Sequence, residues 1–236
     1  MEIKVVGVCG TPVRRKVAKG PTNTEVLLTA VLDSAKEQGD VQTDILWLAE
    51  DRFSQGCDHD NWCLLKQTED KICAKNDVMS KEYYAKVKDC DALVIATPVY
   101  IGRMSWLTAA FIDRLRALAE GKYYGFRRRE GSSLKDKVLG VAAVAWYRHG
   151  GVESALLTTL CLTAGIFGMI PVMSGPAAKA YSAFGYGAGG MSIGGMDELA
   201  NVRNDEYAML SAKNLGKRVV EMAMIVKAGK TALVKV

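Results

Sequence analysis

Histidine is almost absent from this chain: His59 and His149 are the only two in 236 residues. Two imidazoles cannot build a multi-histidine metal centre. No Ser-His-Asp arrangement accompanies them, so triad hydrolysis has no support. Long apolar runs are missing too, and no stretch reaches the roughly 18 consecutive apolar residues of a membrane span. The opening Met1-Glu2-Ile3-Lys4-Val5-Val6 has the pattern of a strand, not of a signal peptide. A cytoplasmic location is the default expectation, with no membrane partner. In that compartment the six cysteines read as thiols, metal ligands or core residues, because disulfides are rare there. There is no large excess of one charge sign: 31 basic and 26 acidic residues are interspersed, for a net +5. Such a mildly basic surface suits a small anion and lacks the clustered footprint of a nucleic-acid binder. Internal repeats and low-complexity linkers are also lacking.

What is present is enough apolar residue, 49%, for a full core. The length fits a single domain over residues 1–236, with a Cys-containing insert at 51–77 and a Gly-rich loop at 174–202. Ile3 to Cys9 is β-branched and hardly alternates, as a buried parallel strand should be. Val26, Leu27, Ala30, Val31 and Ala35 recur at helical spacing and predict a helix over 23–38. Further strands are expected at 41–47, 92–96, 138–146 and 169–173, and further helices at 81–88, 104–118, 152–167 and 205–226. That β-α alternation predicts a flavodoxin-like α/β fold. It would be a doubly wound five-stranded parallel sheet, order 2-1-3-4-5, with helices on both faces.

Ligands of such sheets bind outside the carboxyl ends of the strands. There, Leu93-Val94-Ile95-Ala96 runs into Thr97-Pro98-Val99-Tyr100-Ile101-Gly102 before a helix ending in Phe111-Ile112-Asp113-Arg114. A Pro-aromatic-Gly turn at that edge presents backbone amides and a flat apolar surface, a combination suited to a flavin ring. Pro98, Val99, Tyr100, Ile101 and Gly102 would frame it; the plainer reading is an ordinary strand-to-helix turn. After the first strand, Thr11, Arg14, Thr22, Asn23 and Thr24 surround a helix start, whose unpaired N–H groups suit a phosphate. The plainer reading is that Thr22 or Asn23 only caps the helix. Trp146, Tyr147, Arg148, His149, Gly150 and Gly151 follow the fourth strand on the same edge. They would cover the other side of the ring or receive nicotinamide, or form a loop with a partly buried Trp.

Taken together, these blocks resemble the NAD(P)H-dependent FMN reductase family, in particular its iron–sulfur flavoprotein branch. The quoted matches are Gly10-Thr11-Pro12 with Arg14 and Thr22-Asn23-Thr24-Glu25, then Cys73 to Met79, Thr97 to Gly102, Phe111 to Arg114, and Gly150-Gly151. The loop at 10–22 is longer than the family's. The resemblance implies FMN as cofactor and NAD(P)H as co-substrate. Electrons would pass to a small-molecule acceptor such as a quinone, a nitro- or azo-aromatic, a flavin or a metal ion. Alternatives are a non-enzymatic electron-transfer flavoprotein and a sensor that uses the insert as a switch. Carriers are usually acidic, so the positive charge argues against the first of these.

Members of the iron–sulfur branch carry a compact run of four cysteines that holds a [4Fe-4S] cluster. This insert has Cys57, then Cys63 after five intervening residues, then Cys73 after nine more, with Asp60 where the second Cys belongs. Cys57, Cys63 and Cys73 are therefore candidate cluster ligands, and a cluster would exchange single electrons with a ferredoxin-like carrier. Plain thiols, or zinc on these three with His59, are the other readings. Cys9, Cys90 and Cys161 are expected in the core. Gly185 to Gly190 superficially resembles a dinucleotide fingerprint but lacks the strand-then-helix context. The Arg127-Arg128-Arg129 run reads as a solvated face. A homodimer or homotetramer is expected, because 174–196 is hard to bury within a five-stranded monomer.

Overall fold

A computed structural model describes residues 1–53, 55–125, 131–146, 151–174, 187–191 and 201–233. In chain order its elements are β1 (Ile3–Cys9), α1 (Arg15–Ala18), α2 (Asn23–Lys36), β2 (Val41–Trp47) and α3 (Trp62–Leu65). A π-helical turn, Met79–Tyr83, runs into α4 (Tyr84–Asp89), followed by β3 (Ala92–Tyr100), β4 (Arg103–Met104) and α5 (Trp106–Ala119). Then come β5 (Val138–Ala145), α6 (Glu153–Phe167), β6 (Ile170–Pro171), β7 (Ala188–Met191), a 3₁₀ turn at Asn201–Asn204, and α7 (Glu206–Leu233). No helix among the described residues is long and apolar enough to cross a membrane.

The sheet runs β2-β1-β3-β5-β6, with β7 beside β5 and β4 folded back on β3. Its five-strand path has the expected order, but among the described residues the sheet has seven strands, not five. Two short strands share the last position: Ile170 and Pro171 pair with Val138 and Leu139, while Ala188–Met191 pairs with Ala142–Ala145. Thus part of the expected Gly-rich loop is strand; 175–186 and 192–200 lie outside the described residues, as does the arginine run at 127–129.

Alternation of side chains across each strand builds two cores. On one face Ile3, Val5, Val94 and Ala142 pack under α2 and α7, through Leu27, Val31, Leu215 and Val219. On the other, Val6, Val8, Ile95 and Val141 pack under α4, α5 and α6, through Val87, Phe111, Leu115 and Leu160. Cys9 and Cys90 are buried as expected, but Cys161 is exposed. The inward stripe of α6 is Leu156, Leu160, Ala164 and Phe167. Cys161 follows Leu160 by one residue, roughly 100° around the helix, which turns it to solvent.

The starts of α2 and α7 are each held by a side chain. Thr22 caps α2, its hydroxyl accepting from the Glu25 N–H at 3.3 Å. Asp205 caps α7: Oδ1 accepts from the Tyr207 and Ala208 N–H groups, and Oδ2 from Met191 N at 3.0 Å. That last bond fastens β7 to the helix that covers it.

Candidate functional site

The Thr97–Gly102 segment is not a plain strand-to-helix turn. β3 continues through it, pairing Thr97 and Pro98 with Ala143 and Val144 of β5. β1 pairing ends at Ala96, so Pro98 lies where only one neighbour remains and its missing N–H is tolerated. Beyond the sheet, Val99 pairs with Met104 and Tyr100 with Arg103 in a two-residue β-hairpin. Ile101 and Gly102 form its tip with φ of +50° and +70°. Positive φ at both positions is the requirement of a type I′ turn. Gly102 meets it without a Cβ, and nothing lies within 4 Å of where one would stand. Backbone groups and the half-exposed Tyr100 therefore face outward from the end of the central strand.

Beneath the hairpin lies a buried hydroxyl network. Ser105, the cap of α5, donates from its backbone N–H to Thr97 Oγ1 at 3.0 Å and accepts at Oγ from Thr108 N at 3.1 Å. Thr108 Oγ1 lies 3.0 Å from Thr97 Oγ1. Ser105 Oγ donates to the Gly10 carbonyl at 2.6 Å, and Gly10 N donates to the Ala96 carbonyl at 2.8 Å. The loop after β1 and the hairpin after β3 are thereby joined into one support.

On the loop side, Thr11 lines a small crevice with Cys9, Val13, Arg15, Glu25, Trp47 and Glu50. Thr22, Asn23 and Thr24 form the adjoining start of α2, and Thr22 and Thr24 are buried. Arg14 does not line the crevice itself; its Nε donates at 3.1 Å to the carbonyl of Ala49, which does. The arginine in the crevice is Arg15, which the sequence reading passed over. Its guanidinium sits 4.3 Å from the Trp47 ring centroid and pairs with Glu25 in the first turn of α2. Glu25 would oppose an anion there, and Arg15 offsets its charge. Its hydrogen bonds to the Glu25 carboxylate hold the Arg15 pKa above its usual value. Asn23 also has a structural duty, because its Oδ1 accepts from Val202 N at 2.8 Å. Burial pushes the neighbouring Cys9 thiol up to about 12, so it stays neutral beneath the loop.

The third strip of the edge is Trp146, about half exposed at the end of β5. Gly151 returns next to it, with Val99 and Ala145 side chains 3.5 and 3.7 Å from the position of an added Cβ. Tyr147, Arg148, His149 and Gly150 lie outside the described residues. Thr11, Thr22, Asn23, Thr24 and the 98–102 hairpin thus gather along one sheet edge, joined by Trp146 and Gly151. A helix start with hydroxyls beside a rigid, amide-bearing apolar hairpin fits a phosphate tethered to a flat ring.

The insert packs on the opposite side of the hairpin helix, α5, and its anchor was missed in the sequence. Arg114, 1% exposed, reaches Asp77 through a fork: Nη1 to Oδ2 at 2.7 Å and Nη2 to Oδ1 at 3.1 Å. Nη1 also donates to the Gln55 carbonyl, and the Tyr84 hydroxyl donates to the Arg114 carbonyl at 2.9 Å. The two motifs carrying Asp77 and Arg114 therefore form one clamp. Gln67 holds the other end: its amide nitrogen donates to the Ile72 and Ala117 carbonyls, and its oxygen accepts from Tyr123 and Tyr124 N–H groups.

Cys57, Cys63 and Cys73 share one neighbourhood, where Cys57 and Cys73 help to raise the Cys63 thiol, but they do not form a ligand set. No group of three or more His, Cys, Asp or Glu side chains among the described residues is arranged to hold a metal ion. α3 draws Cys63 into the core, while Cys57 and Cys73 are only partly buried. Burial raises the Cys63 thiol pKa. Asp60, in the place of a ligand, accepts at Oδ1 from the N–H of Trp62, the first residue of α3, at 2.9 Å. His59 is held by Arg116 Nη1 at 3.3 Å.

The family model described as NADPH-dependent FMN reductase matches residues 3–182. An iron–sulfur flavoprotein of Archaeoglobus fulgidus is 33% identical, with 92% of this chain and 96% of the relative covered. One from Methanocaldococcus jannaschii is 29% identical, with 95% and 100% covered. In solved structures, the NAD(P)H:quinone oxidoreductase from Methanothermobacter marburgensis shares the fold, at TM-score 0.58 and 15% identity, covering 93% of this chain and 100% of that one. With a family model spanning most of its length and a relative 33% identical over nearly all of both chains, this chain belongs to the NADPH-dependent FMN reductase family.

Proposed function

We propose that the carboxyl edge of the sheet binds FMN. Its phosphate would lie at the 10–24 loop and its ring along 98–102, and the protein would pass electrons from NAD(P)H to a small flat acceptor such as a quinone. The observation that carries this reading is the Ser105–Gly10 hydrogen bond. It fixes the spacing between the loop suited to the phosphate and the hairpin suited to the ring. When bound, FMN supplies two-electron transfer between NAD(P)H and the acceptor. Thr11, Thr24 and the α2 amides would hold the phosphate, with Arg15 offsetting Glu25. Outward backbone groups of 99–102 would hydrogen-bond the ring, and Tyr100 and Trp146 would limit water around it. The edge calls for no protein nucleophile. A homodimer or homotetramer belongs to the same proposal, supported by the exposed apolar side chains Leu157 and Ile166 on the two flanks of α6.

Titration with FMN, followed by steady-state NADH or NADPH oxidation with an artificial acceptor, tests this reading. Tight FMN binding with sustained turnover is expected. Binding without turnover would favour the electron carrier, and no binding would remove both readings.

The relatives' name brings an iron–sulfur cluster into consideration, but the residues here do not fit one. Three thiols are available instead of four, Cys63 is buried, and Asp60 is committed to α3. Anaerobically prepared protein should contain substoichiometric iron and sulfide. A full cluster complement after reconstitution would overturn this and leave the FMN reading standing.

A further inference from the structure

The tip of the hairpin breaks a local rule. Type I′ turns favour Asn-Gly, because both central residues need positive φ. This chain places isoleucine first, with φ +50°. For a β-branched side chain that is a genuine backbone outlier. Burial of the side chain elsewhere in the fold does not compensate for it: Ile101 is 96% exposed. A strained backbone persists only where the surroundings impose it. Here they do, because Thr97, Ser105 and Thr108 lock the base of the hairpin and tie it to Gly10. The fold therefore carries an apolar side chain at the outermost point of the central strand, in a conformation that asparagine or glycine would adopt more easily. Its surroundings on this edge are aromatic: Tyr100, Trp106 and Trp146 are 43%, 52% and 51% exposed.

We propose that Ile101 is a specificity-determining residue: its side chain is the apolar wall against which a flat aromatic acceptor docks beside the flavin. This rests on the placement of the ring along 98–102 proposed above. Strain at such a position is retained because the side chain gains contacts only when a ligand is bound. The residue would select apolar ring acceptors over small hydrophilic ones, since a rigid exposed hydrocarbon has contact surface to offer only the former.

The test compares native chain, Ile101→Asn and Ile101→Gly as FMN holoproteins, with NADPH as donor and menadione or ferricyanide as acceptor. Both variants should show a raised thermal midpoint, because the strain is relieved. The menadione-to-ferricyanide ratio of kcat/KM should fall roughly tenfold, the order expected when one aliphatic side chain leaves a contact. An unchanged ratio would overturn the proposal. So would a lowered midpoint, which would make Ile101 a packing residue. Sedimentation in parallel separates a third outcome: variants that dissociate without changing the ratio would assign Ile101 to a subunit contact and also overturn it. If the native chain binds no FMN, the functional reading fails and takes this inference with it. Bound FMN with unaltered selectivity defeats the inference alone.

Discussion

Replacing Arg114 with Met should destabilise the protein by about 3–5 kcal/mol, the cost of removing one partner of a buried ion pair. Asp77 would keep a carboxylate in a partly desolvated setting without its fork of donors, and the Gln55 carbonyl would lose its donor. Arg114→Lys should recover little, because an ammonium cannot present two parallel donors. The measurement is urea unfolding at neutral pH, with limited proteolysis of the insert as a second readout. A loss under about 1 kcal/mol, the level of an exposed pair, would refute the clamp. Its pH dependence has a definite sign. Burial alone would raise the Asp77 carboxyl, but the Arg114 hydrogen bonds and charge outweigh it and hold the pKa below the usual value. A lowered folded-state pKa means the contribution is complete above the unfolded value of about 4 and is lost as the pH falls through the folded one. Native protein should therefore lose stability more steeply below about pH 4 than Arg114→Met does.

Converting Thr11 and Thr24 together to Val should weaken FMN by about 2–3 kcal/mol, or roughly 30- to 150-fold, through hydrogen bonds lost to a charged phosphate. The two hydroxyls are chosen over Asn23 because of Val202. Asn23 Oδ1 carries the 201–204 turn, so Asn23→Ala would disturb the fold as well as the ligand. Valine keeps the shape of threonine, and neither hydroxyl is the cap of α2, which is Thr22. Riboflavin, which has no phosphate, supplies the control. Isothermal titration should show FMN affinity falling toward that of riboflavin, with riboflavin itself little changed. An equal loss for both ligands, or none for FMN, would move the phosphate away from this loop.

Both predictions rest on pairings between distant segments, and that is where sequence and structure part. β1 and β2 begin and end where the residue pattern places them, at Ile3–Cys9 and Val41–Trp47. The local code suffices there: buried parallel strands read as nearly continuous apolar runs, and turn residues bound them. α2 is nearly as clear, because Thr22 signals its start and the stripe from Val26 to Ala35 its buried face. The strand order followed from the β-α alternation, through the handedness of crossovers.

The remaining features depend on partners far along the chain. Ala188-Gly189-Gly190-Met191 has no strand propensity of its own; it is a strand because β5 has an open edge above Leu139 and Asp205 receives Met191 N. The extension of β3 past Ala96 depends on β5 running further than β1, and the hairpin on Met104 folding back against Val99. Asp77 and Arg114 were both visible as motif residues, but nothing in their spacing announces that they meet. Arg14 and Arg15 are adjacent, and only the packing of α1 against Trp47 decides which one faces the crevice. By itself the sequence determined the class of sheet and the order of its main strands. Those follow from local periodicity and chain connectivity. Tertiary structure alone decided which charges pair, that Cys63 of the insert is buried and what the tip of the hairpin exposes, because each depends on side chains that the fold brings together from distant parts of the chain.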